Sequence, residues 1–361
     1  MNNFKKIGLT ALAGSLVTLG SAQAGEMSVS GGVNTVLKFG KGGGNTSRSI
    51  GADKDVGFTG GGELDNGTTF SMTVTSNDSL GISSSTTTIT TPSFGSFTFG
   101  SGTGGASGAY DEEVPTAYEQ VSDGNDTVSN KVGDFMDNNS VMYTTPTLDL
   151  MGASVTAHLG YSPQASDTAV GDGGSVTYSA DIGTGKEAGI TVAYEGLKLG
   201  FYGAERERTK PEATSGTGNY QSDEFNGAWY AKYTMGPVSV GYSEFYFDAG
   251  VTQAPESTTA AKTHRTAGGI YTGDQMSIAF NVNDNMSISY TTSDETYDTQ
   301  DNAKPAVTTD DDVTESIDAI QIAYSMGGMS IKAYNMEVTN PEQDDDAGDQ
   351  SVTEIALGFA F

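Results

Sequence analysis

The chain has 361 residues, no Cys, and 46 Asp and Glu against 17 Lys and Arg, which gives a formal net charge of −29. No basic stretch is present to neutralise phosphates, which argues against a nucleic-acid partner. Without Cys, disulfides and thiolate chemistry are excluded. Only 35% of the residues are hydrophobic, yet 17 Tyr and 15 Phe are too many for a disordered acidic protein. We therefore expect a folded chain with little conventional core.

The N-terminus has the pattern of a cleaved secretory signal. Lys5 and Lys6 precede an uncharged, mostly apolar run, and Ala22 and Ala24 form a small-residue cleavage motif. The apolar run is too short to be a membrane-spanning helix. We predict export, removal of residues 1–24, and a single mature domain over 25–361.

Apolar residues recur along the mature chain with a period of two, which is typical of β-strands with one apolar face. The pattern appears in "MSVSGGVNTVLKF" (27–39), "MGASVTAHLGY" (151–161), "LKLGFYGA" (197–204) and "SVTEIALGFAF" (351–361). No long helical stripe with caps is evident. The mature chain is predicted to be all-β.

Short and long connections alternate between the predicted strands. Tight turns rich in Asn, Asp, Gly and Pro are predicted at 65–67, 91–95, 145–149, 195–196, 235–236, 283–285 and 326–328. Longer polar connections fall at 40–52, 163–172, 207–221, 248–262, 298–312 and 340–350, and the longest at 101–138. Seven turns pair fourteen strands, and the first and last strands bring the total to about sixteen. An exported, even-numbered antiparallel set of this kind predicts a transmembrane β-barrel with an aqueous lumen.

The chain resembles the general diffusion porins of the Gram-negative outer membrane, in their alphaproteobacterial style. The resemblance rests on "GEMSVSGGVNTVLKFG" after the signal, "TPSFGSFTFG", "DNNSVMYTTPTL" and the terminal "ALGFAF". It implies a sixteen-stranded homotrimeric barrel whose third external loop folds into the lumen. It also implies passive diffusion of small hydrophilic solutes and ions, and recognition of the C-terminal strand with Phe361 by the barrel-assembly machinery.

The long connection 101–138 is the candidate pore constriction, because the resemblance makes it the loop that narrows the lumen. Carboxylates in a narrow water channel repel anions and concentrate cations, so a cation preference is expected. The alternative is that many of them are ordinary solvated loop charge. The candidate residues are Asp111, Glu112, Glu113, Glu119, Asp123 and Asp126.

The alternation of side chains along the predicted strands places six basic residues on the inner face of the barrel. They are Lys38, His158, Lys198, Arg206, Lys232 and Lys332. Opposite an acidic loop they would create a transverse field that favours dipolar solutes. An inward lysine also needs no function, since lipid-facing positions exclude it. The chain has only four Arg, whereas strong constrictions of this family carry an arginine cluster, so the acidic residues are expected to dominate.

Two other function classes stay open from the residues alone. Acidic clusters at 110–115, 308–315 and 341–350 suit structural calcium, although none has EF-hand spacing, and a calcium-binding adhesive surface protein is the runner-up. An outer-membrane barrel enzyme is the third option. With only two His and no GxSxG motif, we expect no catalysis and no required cofactor. Divalent cations could also bridge the external loops to lipopolysaccharide phosphates in the outer membrane.

Overall fold

The computed structural model describes most of the chain. The described residues are 26–42, 45–76, 81–101, 105–122, 132, 136, 138–165, 182–208, 223–248, 250, 270–298 and 312–360. The predicted signal over 1–24 and Phe361 lie outside them, as do the candidate constriction residues Asp123 and Asp126. Signal cleavage and the assembly role of Phe361 therefore stay predictions.

Seventeen β-strands form one antiparallel sheet within the described residues. Their bounds are β1 Glu26–Gly42, β2 Asn45–Glu63, β3 Thr69–Ser76, β4 Ile82–Thr91, β5 Gly95–Ser101, β6 Ser140–Thr144, β7 Leu148–Leu150, β8 Ala153–Ser162, β9 Ile182–Tyr194, β10 Leu197–Arg208, β11 Glu224–Met235, β12 Val238–Asp248, β13 Ile270–Asn283, β14 Met286–Asp298, β15 Val313–Met326, β16 Met329–Thr339 and β17 Gln350–Ala360. Strands β6 and β7 are two halves of one barrel strand, because both pair with β8. The barrel therefore has the sixteen strands that the sequence predicted.

Pairing of the first and last strands closes the sheet. Strand β1 pairs with both β2 and β17, and the β1–β17 ladder runs antiparallel from Gly32↔Ala360 to Gly42↔Gln350. A closed barrel has no free edge between its first and last strands. The helices in the described part of the chain are two short 3₁₀ turns, Ser107–Ala109 and Pro341–Gln343, and none is long and apolar enough to span a membrane.

The turn predicted at 145–149 is wrong. The chain reverses instead at Met151 and Gly152, which both have positive φ. Pro146 cannot donate a ladder hydrogen bond, so it interrupts the strand without reversing it. The Thr145 amide donates to the Ala157 carbonyl and the Ala157 amide donates to Thr145 Oγ1, both at 2.9 Å, which keeps β6 and β7 in line.

The long connection predicted at 40–52 is also wrong. Strands β1 and β2 continue through most of it, with Lys41 paired to Thr46, and only residues 43–44 join them. The glycine-rich sequence suggested a loop. Leu37 and Ile50 are register partners, however, so the apolar alternation of both strands continues through this stretch. Strand β9 pairs continuously with β8 from Gly185 to Ala193, whereas its ladder with β10 shifts register between the pairs Arg206↔Gly185 and Arg208↔Ile182.

The two faces of the barrel wall differ in polarity. In β15, Ile320 and Ile322 are exposed on the outer face, whereas Ala319 and Gln321 are buried on the inner face. The same alternation leaves large apolar side chains exposed around the outside of the barrel. That pattern fits a wall with lipid outside and water inside.

The buried core lies between the inner wall and the segment 105–122. One cluster contains Tyr110, Met136, Tyr202 and Tyr230. A second cluster contains Tyr118, Val121, Ile317, Tyr334, Met336 and Val338. The barrel is therefore half lined by packed side chains, which replaces the conventional core that the composition cannot supply.

The difference in polarity between the two faces gives a direct test of which side chains face lipid and which face the lumen. Ile288 is exposed on the outer face of β14, and Ser287 is half-buried on the inner face. We expect Ile288→Arg to destabilise the barrel by about 1 kcal/mol because it places a charge against lipid near one end of β14. Ser287→Arg, the matched control, should cost less than half of this. Urea unfolding in lipid vesicles measures both; equal losses would contradict the assigned faces.

Candidate functional site

The segment 105–122 follows the inner wall strand by strand. Its contacts move in order from β9, through β12 at Gly241, to β17. Between these points it bonds to Ser277 of β13, Ser289 of β14 and Gln321 of β15. The described part of the long connection therefore lies inside the barrel, as the sequence predicted.

The first anchor of the loop is Glu187 on β9. Its carboxylate accepts the Ala106 amide at 2.8 Å and the Tyr202 hydroxyl at 2.9 Å. Tyr110 is fully buried beside it and stacks on the Tyr202 ring with centroids 5.3 Å apart. A Cβ atom at Gly189 would lie 2.4 Å from the Tyr110 ring, so the wall has a glycine where the ring packs.

The second anchor is an ion cluster around Glu113, which is 5% exposed. Lys198 of β10 and Lys232 of β11 are paired across the two strands. Both bind the Glu113 carboxylate, Lys198 Nζ at 3.8 Å and Lys232 by a direct hydrogen bond. Both ammonium groups also lie over the Tyr230 ring, at 5.4 and 5.2 Å from its centroid. One loop carboxylate thus relieves the repulsion between two inward lysines.

Glu112 is buried next to this cluster and has a positive φ of 44°. Its side chain accepts hydrogen bonds from Gln275 Nε2 at 2.5 Å and from the amide and hydroxyl of Ser122. Asp111 is 9% exposed, and its backbone carbonyl accepts Gln120 Nε2. These acidic residues tie the loop to the wall and to itself instead of projecting into water.

The far end of the loop is held by Gln321 of β15. Gln321 Oε1 accepts the amides of Tyr118 and Glu119 at 2.8 and 3.1 Å, and its Nε2 donates to the Glu119 carbonyl at 2.7 Å. The side chain therefore pairs with the loop backbone as a neighbouring strand would. It is 1% exposed, so these bonds are protected from water.

Glu354 of β17 is the last anchor. It accepts the hydroxyls of Tyr118 at 2.7 Å and Tyr334 at 2.8 Å, and Lys38 Nζ lies 3.6 Å from it. Lys332 lies 4.8 Å from the centroid of the Tyr118 ring. Burial, followed by the hydrogen bond to Glu354, raises the pKa of the Tyr118 phenol above its usual value of 10.0.

The transverse field expected from the sequence is not what the described residues form. Lys198 and Lys232 bind Glu113 from the wall behind the loop, so these opposite charges pair on one side of the lumen instead of facing each other across it. Arg206 is elsewhere: it pairs with Glu224 at 2.5 Å and donates to the Ala165 carbonyl at 3.2 Å. His158 contacts the edge of the Tyr110 ring, with centroids 5.9 Å apart.

The wall formed by β2–β5 has a different surface. Hydroxyls pair across its strands, Thr59 with Thr73 at 3.1 Å and Thr88 with Thr98 at 3.0 Å. Asp53 and Asp55 of β2 are exposed, and their register opposite Asn34 and Gly32 places them on the inner face. Sequence reasoning missed both because it followed only basic residues along the inner face. The alternation of side chains along β2 would have placed both on the inner face.

The anchors Glu187, Gln275, Gln321 and Glu354 were missed as well, because only basic inward residues were followed along the strands. The predicted acidic cluster 341–350 contains Asp344, Asp345 and Asp346, whose carboxylates lie within 4.8 Å of one another. Such groups are common on acidic surfaces without an ion. Structural calcium there stays a prediction.

Comparison with known proteins agrees with this geometry. A family model described as Gram-negative porin matches residues 8–360. A search of curated protein sequences found no match.

Several solved structures share the fold. In-vitro folded OmpT of Vibrio cholerae, described as a trimer form, has a TM-score of 0.62 at 15% identity over 94% of this chain and 100% of that one. OmpF of Salmonella typhi in complex with daunomycin has a TM-score of 0.66 at 11% identity over 92% and 97%. The outer membrane channel DcaP of Acinetobacter baumannii has a TM-score of 0.63 at 11% identity over 96% and 100%.

The packing of Tyr110 against Gly189 predicts how the loop can be released. Gly189→Ala places a methyl group 2.4 Å from the Tyr110 ring, and we expect it to displace the ring at a cost of about 1–3 kcal/mol. Gly203→Ala is the control, because the nearest atom to its Cβ is 3.6 Å away. Limited proteolysis of the folded protein should cut within 105–122 faster in the first variant alone. Equal protection of both would contradict the anchor.

The buried phenols predict that the loop loosens in alkali. Burial raises the pKa of Tyr110 to about 12, and that of Tyr118 is also raised above its unfolded value of 10.0. A phenol whose pKa is higher in the folded state stabilises the docked loop fully below about pH 10, and this stabilisation is lost as the pH rises toward the folded pKa. Tyrosinate absorbance of the wild type minus that of Tyr118→Phe should show a late-titrating group. A difference titrating near pH 10 would contradict the burial.

Proposed function

Because the chain belongs to the Gram-negative porin family and is an outer-membrane channel for passive diffusion, we propose that its pore prefers cations, works without catalysis or cofactor, and is one of three in a homotrimer. Its solutes are small and hydrophilic. Its further partners are outer-membrane lipids, lipopolysaccharide and the barrel-assembly machinery, which reads the C-terminal strand. The trimeric form of the Vibrio cholerae OmpT structure supports the oligomeric state.

The cation preference rests on which charges meet water inside the barrel. Glu113 is buried and paired with Lys198 and Lys232, so this cluster keeps a formal charge of about +1 behind the loop, and Lys38 is compensated by Glu354. Asp53 and Asp55 on the inner face of β2 are exposed, so their negative charges meet the water of the lumen. An aqueous lumen walled in this way accumulates cations. The selectivity is thus assigned to the wall facing the loop more than to the loop.

The reversal potential of the purified protein in a planar bilayer under a KCl gradient tests this proposal. We expect stepwise conductance with a cation-selective potential, and a shift toward zero in the double variant Asp53→Asn with Asp55→Asn. The control is Asp318→Asn, which removes an exposed carboxylate from the outer face of β15 and should leave the potential unchanged. Anion selectivity of the wild type would contradict the proposal. An unchanged reversal potential in the double variant would mean that the carboxylates of the loop set the selectivity.

A further inference from the structure

The last connection of the barrel, residues 340–349, is longer than its two strands require. Strands β16 and β17 are neighbours, and Val338 is paired with Gln350 across them. A tight turn of about two residues is enough to join such strands. The connection lies at the end of the barrel that also carries the long connection between β5 and β6. Its extra length therefore calls for a physical explanation.

This connection, which we call the mouth loop, is anchored on two carboxylates of the inner wall. Glu295 of β14 and Glu315 of β15 are register partners, they are 3% and 1% exposed, and Glu315 shares the inner face with Gln321. Gln343 Nε2 donates to Glu295 Oε1 at 2.6 Å, and the Glu342 amide donates to Glu315 Oε2 at 2.5 Å. The mouth loop therefore folds inward over the rim of the barrel.

The start of the mouth loop is fixed as well. The β15–β16 ladder ends at the pair Ser316↔Thr339, and Asn340 Nδ2 donates to the Thr314 carbonyl at 3.0 Å just beyond it. Pro341 is buried. The Asn340 side chain thus extends the pairing of β15 while the backbone turns away from the strand direction.

The backbone of the mouth loop has a conformation that contacts must maintain. Asn340, Glu342 and Gln343 have positive φ values of 49°, 62° and 53°. The left-handed region is unfavourable for residues other than glycine, and such residues persist where the surrounding structure holds them. A loop that only met water would relax to other conformations. The contacts with Glu295 and Glu315 therefore outweigh the preference of the free chain.

The path of the mouth loop crosses in front of the wall. Gln343 is bonded to β14, two strands away from β16, which is about 10 Å around the wall. Gln350 begins β17 on the other side of β16. Residues 344–349 must therefore return in front of β15 and β16. Asp345 and Asp346 in this returning part are exposed.

The mouth loop lies above the segment 105–122 on the same side of the barrel. Gln321 of β15 holds that segment, and Glu315, six positions along the same strand, holds the mouth loop. Six positions span about 20 Å along a strand, or about 15 Å along the axis of a barrel with the usual strand tilt. A solute that moves toward the segment 105–122 from this end passes the mouth loop first.

We propose that the mouth loop is a second constriction of this channel, which limits the size of the solutes that enter, and that Gln343 is the positioning residue that holds it. The inference builds on passive diffusion through the barrel and does not depend on the ion preference. Both loops lie against β14 and β15, so a solute passes both on the side of the β2–β5 wall. Its class is a neutral or charged hydrophilic molecule near the size limit of the mouth.

A purely structural role is the competing explanation. Ile317 and Val338 are buried apolar residues on the inner face next to Glu315, and the mouth loop could cover them without narrowing the path. In that case, release of the loop would lower the stability of the barrel and leave solute entry unchanged. The return of residues 344–349 in front of the wall favours the constriction.

Release of the mouth loop tests the proposal. The double variant Asn340→Ala with Gln343→Ala removes both side-chain anchors. We expect a neutral trisaccharide to enter reconstituted liposomes at least about twofold faster relative to a monosaccharide. The control is Asn335→Ala, which removes a hydrogen bond to Thr353 Oγ1 on the outer face of β16 and should leave this ratio unchanged. Heat-modifiable gel migration shows that each variant is folded.

A thiol placed on the mouth loop gives an independent measurement. The chain has no Cys, so Asp345→Cys introduces a single reactive site. Modification with a bulky neutral maleimide should lower the single-channel conductance to less than about half. Asp318→Cys, modified in the same way, is the matched control, because it removes an exposed aspartate from the outer face of β15. Its conductance should not change.

The outcomes decide between the two explanations. Faster cleavage of the double variant at residues 344–346 by a protease specific for aspartate, with an unchanged sugar ratio, would overturn the constriction. If the double variant stays protected, an undiminished current after modification of Asp345→Cys would overturn it, and a block would support it. An anion-selective channel whose sugar ratio rises in the double variant would contradict the cation preference alone. A cation-selective channel with an unchanged ratio and no block would contradict the constriction alone.

Discussion

Closure of the sheet by the β1–β17 ladder is the constraint on which the rest of the structure depends. In lipid, every backbone amide and carbonyl must be paired within the protein, and a closed antiparallel barrel achieves this without a core. Eleven register pairs join the first strand to the last. Once the closed barrel has paired the backbone groups, the side chains on its inner face can be polar. A chain with 35% hydrophobic residues can therefore fold, because lipid supplies the apolar surroundings of the outer face.

The loop inside the barrel is held by polar groups that the wall presents at successive strands. The wall offers carboxylate and amide acceptors to loop amides at Glu187 and Gln321, and paired lysines to the loop carboxylate Glu113. Glu187, Gln321 and Glu113 are buried, so leaving any of them without its partner would be costly. The loop and the wall therefore satisfy each other, and the charges used in docking are withdrawn from the lumen.

Much of the fold could be predicted from the sequence, since period-two alternation and the spacing of turn residues depend on local physics. The failures are also local. Pro146 indicated a turn but marks a strand interruption, and Gly40 and Gly42 indicated a loop but lie in the continuing strand β1. The site was less predictable, because its partners are distant in sequence. Tyr118 and Glu354 are 236 residues apart, and only barrel closure brings them together.

Strand parity explains how one hairpin can serve both the pore and its surroundings. Lys54 lies between Asp53 and Asp55, so the base points outward while both acids point inward. A shift of β2 by one residue against β1 would exchange the faces of β2, placing Arg48 and Lys54 in the lumen and Asp53 and Asp55 on the outer wall. Both the cation preference and the outer charge pattern would then be lost together. The register of this one ladder therefore couples pore electrostatics to the surface that meets neighbouring molecules.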